Sequence, residues 1–150
     1  WLDDEEQRAW RSWITMSELL RIQVGRDLQR DGDLSAADYT VLVQLSESPD
    51  GRIRMSDLAT RLSWSKSRLS HQIARMASRG LVERENCPND ARGAFAVLRP
   101  AGLTELRRTA PDHVASVRRH FIDRLTREQL DALGDVADEV VAHLNNGRDA

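Results

Sequence analysis

The chain has 150 residues, of which 40% are hydrophobic and 31% charged, so it is long enough and apolar enough to form one domain with its own core. No apolar run approaches the ~20 residues that a membrane-spanning helix needs. The single cysteine, Cys87, excludes an intramolecular disulfide and a cysteine-rich metal site. We therefore expect one cytoplasmic domain, residues 1–150, with no membrane partner.

Charge is unevenly distributed along the chain. The net charge is only −2, but residues 52–99 hold ten basic side chains against four acidic ones, a net of +6, so the remainder carries −8. A basic segment in an otherwise acidic chain suits a protein that binds phosphate on one side and keeps nucleic acid away from the rest of its surface.

Two predicted helices precede the basic segment. Helical periodicity covers about residues 3–30, where Trp10 and Trp13 lie on the apolar side. After a break, Ser35–Asp38 has the S-x-x-D form of a capping box, with Asp in place of the usual Glu. We expect it to start a helix that ends near residue 46. The next short segment, residues 52–54, is predicted as a strand of a small sheet.

The pattern that follows is typical of a helix-turn-helix. A first short helix covers residues 56–62, and Ser56 is able to cap its first turn. After a three-residue turn, a second helix covers residues 66–79. Ser65 caps its start, and Gly80 follows its end, where a left-handed backbone is common. In this motif the second helix enters the major groove of DNA.

The outward face of this second helix carries no carboxylate, whereas an ordinary solvated face mixes both signs of charge. Its side chains are of the kinds that bind phosphate oxygens and base edges. Some of these residues have an alternative structural role. Ser65 caps the helix, and Gln72 or Arg75 could face the edge of the interior. Arg79 could serve merely to solvate the end of the helix. The candidate phosphate contacts are Ser65, Ser67 and Ser70, and the candidates for base edges or phosphates are Lys66, Arg68, His71, Gln72 and Arg75.

A predicted β-hairpin completes a winged helix. Residues 81–84 alternate as a strand, residues 86–93 contain turn-forming types, and residues 95–98 suggest a returning strand. Arg92 is then expected near the tip of the loop, where an arginine can reach the concentrated negative potential of an adjacent minor groove.

Two further helices are predicted after the hairpin. One begins at Pro100 and continues towards Leu125, with an interruption by Pro111 and a kink near Arg107 or Arg108. Thr126–Gln129 is a T-x-x-Q capping box that starts the last helix, which ends near residue 145. The first helix and these two have apolar stripes wider than a small core can bury, and such stripes usually indicate a partner.

The run SKSRLSHQIARMASRGLVERENCPNDARGAFAVL, which begins at Ser65, resembles the DNA-binding core of the multiple antibiotic resistance regulator (MarR) family of bacterial transcription factors. The resemblance includes an Asp and an Arg two residues apart, Asp90 and Arg92. It implies that the arginine enters the minor groove and that the aspartate orients it. One departure is Arg99 before Pro100, where the family usually has a threonine.

The resemblance implies a mostly α fold with a small β wing, a winged helix-turn-helix of about residues 34–99, and a dimerisation region of about residues 1–30 and 100–145. It also implies a homodimeric repressor on a palindromic operator, released by a small aromatic or phenolic ligand bound where the two regions meet. Flat rings with polar tips suit such a ligand. Each ring is also explained by core packing, which is the favoured interpretation of Trp10 and Trp13. The candidates are Trp10, Trp13, Tyr39 and His113.

Three alternatives remain open at this stage. The chain could be a regulator that responds to no ligand, or a winged helix that contacts proteins only. An enzyme is disfavoured, because nothing positions Cys87, His113 and Asp90 as nucleophile, base and orienting group.

The histidine spacing gives no metal site, so we expect neither a metal nor a cofactor. Cys87, beside Pro88, is interpreted as incidental rather than as a redox sensor.

Overall fold

The structure is a computed structural model that describes residues 1–147, apart from the side chains at positions 31 and 90–92. It is mostly helical with one small sheet, which confirms the predicted fold class. A short 3-10 turn, Ile122–Arg124, lies between the last two helices. The elements are α1 (Asp4–Asp31), α2 (Ala36–Ser46), β1 (Arg52–Arg54), α3 (Met55–Leu62), α4 (Lys66–Ser78), β2 (Val82–Cys87), β3 (Asp90–Leu98), α5 (Pro100–His120) and α6 (Arg127–Asn146).

The chain divides into two compact units. The terminal unit consists of Trp1–Val24 and Val114–Ala150, and the central unit is Gly25–His113. The central unit contains α2, the whole sheet and the helix-turn-helix formed by α3 and α4.

The core of the central unit is assembled from α2, α3 and α4. Leu42 and Leu45 of α2 are fully buried, as are Leu58 of α3 and Leu69 of α4. Burying a leucine of this size stabilises the fold by roughly 1.5–3 kcal/mol relative to leaving it exposed. Because these residues recur at helical spacing, the same periodicity that forms each helix also directs its apolar stripe inward.

The three strands form an antiparallel sheet in the order β1-β3-β2. In the register, Ile53 pairs with Ala96 and Val82 pairs with Leu98. Ile53, Val82 and Ala96 are all buried, so one face of the sheet closes the core. The short strand β1 is therefore part of the sheet, as the sequence predicted.

The hairpin strands are longer than predicted. Residues 86–93 were expected as a turn, but β2 continues to Cys87 and β3 begins at Asp90, so only Pro88 and Asn89 connect them. The register passes from Asn86 opposite Ala94 to Cys87 opposite Asp90, so residues 91–93 lie in an irregularity of β3. The backbone of Arg92 lies in this irregularity of β3, close to the turn of the hairpin. The side chains of Asp90 and Arg92 lie outside the described residues.

Helix starts follow local capping signals in three of the four predicted cases. Ser35–Asp38 and Thr126–Gln129 form complete capping boxes at the starts of α2 and α6, and the Ser65 hydroxyl caps α4. The prediction that Ser56 caps α3 is wrong. This helix begins at Met55 directly after β1, and Arg54 occupies the cap position without a side-chain hydrogen bond.

Helix α5 differs from the prediction in two respects. It continues through Pro111 without interruption, and it ends at His120 rather than near Leu125. A proline removes one backbone donor, and a helix of 21 residues retains enough other hydrogen bonds to continue past it.

The helices of the terminal unit expose large apolar side chains. Such exposure is concentrated on α1 and α6. No helix in the described part of the chain has an apolar stretch long enough to cross a membrane. The most exposed of these side chains on α1 and α6 are Trp10, Trp13, Leu19, Val136, Val140, Val141 and Leu144.

Candidate nucleic-acid interface

The turn between α3 and α4 is closed by backbone hydrogen bonds. Ser63 adopts a left-handed conformation with φ of 53°, which a non-glycine residue takes up only in a tightly constrained turn. The Trp64 N–H donates to the Ala59 carbonyl oxygen at 2.9 Å. Ser65 then accepts from the Arg68 N–H at 3.1 Å, which starts α4. These contacts fix the direction in which α4 leaves α3.

Helix α4 has one buried face and one exposed cationic face. Leu69, Ile73 and Met76 point into the core and are at most 1% exposed. The first turn contains no acidic residue, so nothing neutralises the positive end of the helix dipole there. The exposed polar side chains include those of Ser65, Lys66, Ser67, Arg68, His71 and Arg75, while Ser70 is half-buried.

Trp64 supports the exposed face of α4. Its ring is half-buried and packs against the core of the central unit. The guanidinium carbon of Arg68 lies 4.1 Å from the Trp64 ring centroid, within the range of a cation–π contact. The tryptophan therefore covers the helix junction and also restrains the Arg68 side chain.

Gln72 occupies the interior, and its predicted place on the outward face is wrong. Its side chain is only 2% exposed, and its Nε2 donates to Asp38 Oδ1 at 2.6 Å. Asp38 is the third residue of α2 and is buried at 4% exposure. A buried amide needs a hydrogen-bond partner, and this carboxylate supplies one from a distant part of the sequence.

Arg79 is likewise a structural residue. Its Nη1 lies 2.7 Å from Asp38 Oδ2, and its Nη2 donates to the Asp33 carbonyl oxygen at 2.6 Å. Burial alone would raise the pKa of Asp38, but hydrogen bonds from the Ser35 backbone and from Arg79 outweigh it and hold that pKa below its ordinary value. The carboxylate is therefore ionised at neutral pH.

A groove of about 250 Å³ lies between the start of α4 and the hairpin. Arg54, Lys66 and Arg84 line it together with the hydroxyls of Ser56 and Ser70, and none of its lining residues is acidic. Sequence reasoning did not single out Arg54 or Arg84. Their only sequence signal was the general excess of basic residues over positions 52–99.

Two carboxylates of the basic segment are engaged by arginines outside α4. Glu85 lies 3.2 Å from Arg52, and Glu83 lies 2.6 Å from Arg99. These pairs are about half exposed, so each contributes little to stability. They do compensate acidic charge within the sheet, which leaves the α4 face predominantly positive.

The four residues predicted to line a ligand pocket divide between the two units. Tyr39 and His113 lie in the central unit with ring centroids 4.3 Å apart. His113 Nδ1 is buried and has no hydrogen-bond partner among the described residues, and burial lowers the pKa of this histidine. Trp10 and Trp13 belong to the terminal unit and are 58% and 47% exposed, so the favoured interpretation that they pack in the core is wrong.

The terminal unit has an apolar groove of its own, with a volume of about 460 Å³. Trp13, Leu20, Val117, Phe121 and Leu133 are among the residues that line it.

Cys87 is a free, half-buried thiol on β2. The described residues contain no group of three or more metal-binding side chains.

Comparison with known proteins places this geometry in a family. A model of the MarR family matches residues 32–93. Transcriptional regulator HosA of Escherichia coli O111:H- is 33% identical over 97 residues, which are 65% of this chain and 70% of that protein. The crystal structure of AbsC, a MarR family regulator from Streptomyces coelicolor, is 53% identical, with a TM-score of 0.90 over 97% of this chain and 98% of AbsC.

A second Streptomyces coelicolor regulator of the same family, Sco3205, is 47% identical to this chain. The match has a TM-score of 0.91 and covers 96% of this chain and 91% of Sco3205, whose crystal structure contains DNA. These relatives are transcription regulators and not enzymes. The winged helix, the cationic α4 face and these relatives together show that the chain belongs to the MarR family of DNA-binding transcription regulators.

Proposed function

We propose that the chain is a homodimeric repressor that binds a palindromic operator in the cytoplasm. The exposed face of α4 enters the major groove, and the hairpin reaches an adjacent minor groove. The contacts that we assign to DNA are those of Ser65, Lys66, Ser67, Arg68, Ser70, His71 and Arg75 on α4 and of Arg92 on β3, with Asp90 orienting Arg92.

The observation that carries this proposal is the carboxylate-free exposed face of α4. Each phosphate that a lysine or arginine neutralises releases a counterion from the duplex, and this release supplies much of the affinity of DNA-binding proteins. Hydroxyl and imidazole groups on the same face can bind phosphate oxygens or base edges. The DNA present in the Sco3205 crystal structure supports this assignment.

The apolar side chains exposed on α1 and α6 support a dimer. Val140 and Leu144 are 51% and 60% exposed, and burial of a contiguous apolar surface by a second copy would remove that area from water. Two-fold dimers of winged helices place their recognition helices about one DNA turn, ~34 Å, apart, which is why their operators are palindromic.

Release of the operator by a small aromatic or phenolic ligand is a further part of the proposal. Tyr39 and His113 offer flat surfaces and an unpartnered ring nitrogen in the central unit. This part is tested by measuring Tm in the presence of each member of a panel of aromatic acids. Any acid that raises Tm is then tested for its ability to release the protein from the operator. If no acid changes either quantity, the protein is a regulator that needs no effector.

The DNA interface is tested by comparing two arginine variants. Arg68→Ala removes an exposed cation from α4, whereas Arg107→Ala removes an exposed cation from α5. We expect Arg68→Ala to weaken binding by about 1–3 kcal/mol, the scale of one good groove contact, and Arg107→Ala to have almost no effect. Fluorescence anisotropy on a duplex selected from genomic fragments measures both. Equal affinities would remove α4 from the interface.

Salt dependence separates a DNA regulator from a winged helix that contacts only proteins. Affinity for the selected duplex should fall steeply as salt rises, with a slope of about 0.9 per phosphate neutralised in a plot of log affinity against log salt. A protein-interaction module would select no duplex at physiological salt.

A further inference from the structure

A buried hydrogen-bond chain joins α2 to the exposed face of α4. Asp38 Oδ1 accepts from Gln72 Nε2 at 2.6 Å, and Gln72 Oε1 accepts from Arg75 Nη2 at 2.5 Å. Asp38 and Gln72 are 4% and 2% exposed, whereas Arg75 is exposed. This series of hydrogen bonds thus begins at a capping residue of α2 and ends at the exposed Arg75 of α4.

The chemistry of the three groups determines which atom donates and which accepts in each of the two hydrogen bonds. An ionised carboxylate only accepts hydrogen bonds, so the nitrogen of the Gln72 amide must face Asp38. The amide oxygen is then left facing Arg75, whose guanidinium only donates. If the amide were reversed, its NH2 group would face the guanidinium and neither hydrogen bond could form.

We propose that Asp38 is a positioning residue for DNA recognition, which through Gln72 fixes the direction in which the Arg75 side chain leaves α4. This inference rests on the proposed function, because it requires Arg75 to contact DNA. Its immediate consequence is that a residue on α2, with no contact to the duplex, determines part of the affinity for it.

The physical advantage is that the arginine is ordered before it meets DNA. A free arginine loses rotamer freedom on binding, and an anchored one has already lost part of it, which is worth roughly twofold to tenfold in affinity. The other arginine on the exposed face, Arg68, is restrained differently, by the Trp64 ring. Each of these arginines therefore contacts a side chain that restrains it: the buried Gln72 for Arg75 and the half-buried Trp64 for Arg68.

The first test is a double-mutant cycle between Asp38 and Arg75 in the full-length chain, with a duplex selected by the wild-type protein as the probe. Asp38→Asn removes a negative charge, which by itself would strengthen DNA binding. We expect it instead to weaken binding by about fivefold. Glu47→Gln, the same charge change at an exposed position just after α2, serves as the matched control and should not weaken it.

In an Arg75→Ala background, Asp38→Asn should have no further effect on affinity, because the side chain that it positions is absent. A purely structural role of Asp38 in capping α2 and pairing with Arg79 would weaken binding equally in both backgrounds, and that result would overturn the proposal. Tighter binding by Asp38→Asn than by Glu47→Gln would also overturn it.

Two further variants keep the test decisive if Asp38→Asn does not fold. Gln72→Met leaves the Asp38–Arg79 pair in place. It removes both the amide oxygen that accepts from Arg75 and the amide nitrogen that donates to Asp38. It should weaken binding as Asp38→Asn does, again without effect in the Arg75→Ala background. If Gln72→Met binds as the wild type does, Gln72 does not position the arginine.

The double exchange Asp38→Asn with Gln72→Glu reverses the first hydrogen bond while keeping the total charge of the pair. The new amide can donate to the carboxylate at position 72 and still accept from Arg79 and Ser35, and that carboxylate can accept from Arg75. We expect affinity within about twofold of the wild type, and affinity no better than that of Asp38→Asn would overturn the proposal. If the wild-type protein itself selects no duplex, the proposed function fails, which is a distinct outcome.

Discussion

His113 illustrates how the surroundings of a single residue set its chemistry. The ring lies against Tyr39, and its Nδ1 is buried without a hydrogen-bond partner among the described residues. Burial disfavours the charged imidazolium and lowers the pKa of His113 from its ordinary 6.5. The resemblance to the MarR family made this histidine a candidate ligand contact, but only the tertiary structure shows the burial that lowers its pKa.

The lowered pKa of His113 predicts a pH dependence of stability. The unfolded chain binds the proton more readily than the folded protein, so the free energy of unfolding should decrease as pH falls below about 6.5. His113→Gln should remove this part of the decrease, because the glutamine side chain binds no proton in this pH range. Denaturant unfolding at pH 7.5 and 5.5 measures the effect.

The control for this experiment is His71→Gln, at an exposed position on α4. It should keep the wild-type difference between the two pH values. A His113→Gln protein with the same pH dependence as the wild type would show that His113 is not the group responsible.

At the scale of elements, α5 approaches the start of β2 so closely that only glycine fits at position 102. A Cβ atom at Gly102 would overlap the carbonyl oxygen of Leu81, which accepts a hydrogen bond from the Arg99 N–H at 3.1 Å. The junction between the hairpin and α5 therefore depends on backbone contact. Pro100 identified the start of the helix in the sequence, but no local signal marked this approach.

Gly102→Ala should destabilise the protein by at least about 2 kcal/mol, because the added methyl group must displace backbone atoms. Gly134→Ala on α6 is the matched variant, since a Cβ there has no neighbour within 4 Å. We expect it to leave stability unchanged or to raise it by up to about 1 kcal/mol through better helix propensity. Thermal unfolding of both proteins distinguishes packing from propensity, and equal Tm values would contradict the close contact.

For the whole molecule, the exposed apolar face of the terminal unit is the feature that a single chain leaves unexplained. Val136, Val140, Val141 and Leu144 recur on one side of α6 and are each at least half exposed. Isolated exposed apolar residues are common, but a continuous stripe on a helix usually indicates a partner. The proposed dimer provides that partner.

The dimer is tested by placing a charge on this stripe. Val140→Glu should shift the protein towards monomer, because an unpaired carboxylate in an apolar interface costs several kcal/mol. Ala142→Glu introduces the same charge on a different side of α6 and should leave the dimer intact. Sedimentation at micromolar concentration measures the mass, and operator binding should weaken in parallel for Val140→Glu. A wild-type protein that is already monomeric would contradict the proposal.

Local sequence signals were sufficient for most of the fold. The two capping boxes, the Ser65 cap and the glycine after α4 each involve residues within one turn of each other, so they can be recognised without knowledge of the tertiary structure. The helix-turn-helix and the cationic character of its second helix were therefore determined by the sequence itself.

Tertiary structure alone decided which polar residues of α4 face outward. Gln72 is as polar as its neighbours, and it is buried because Asp38, 34 positions earlier in the chain, supplies its hydrogen-bond partner. The lengths of β2 and β3 depended in the same way on pairing between strands. Periodicity specifies where a side chain points on its own helix, but burial depends on what another element places opposite it, and that information is not local.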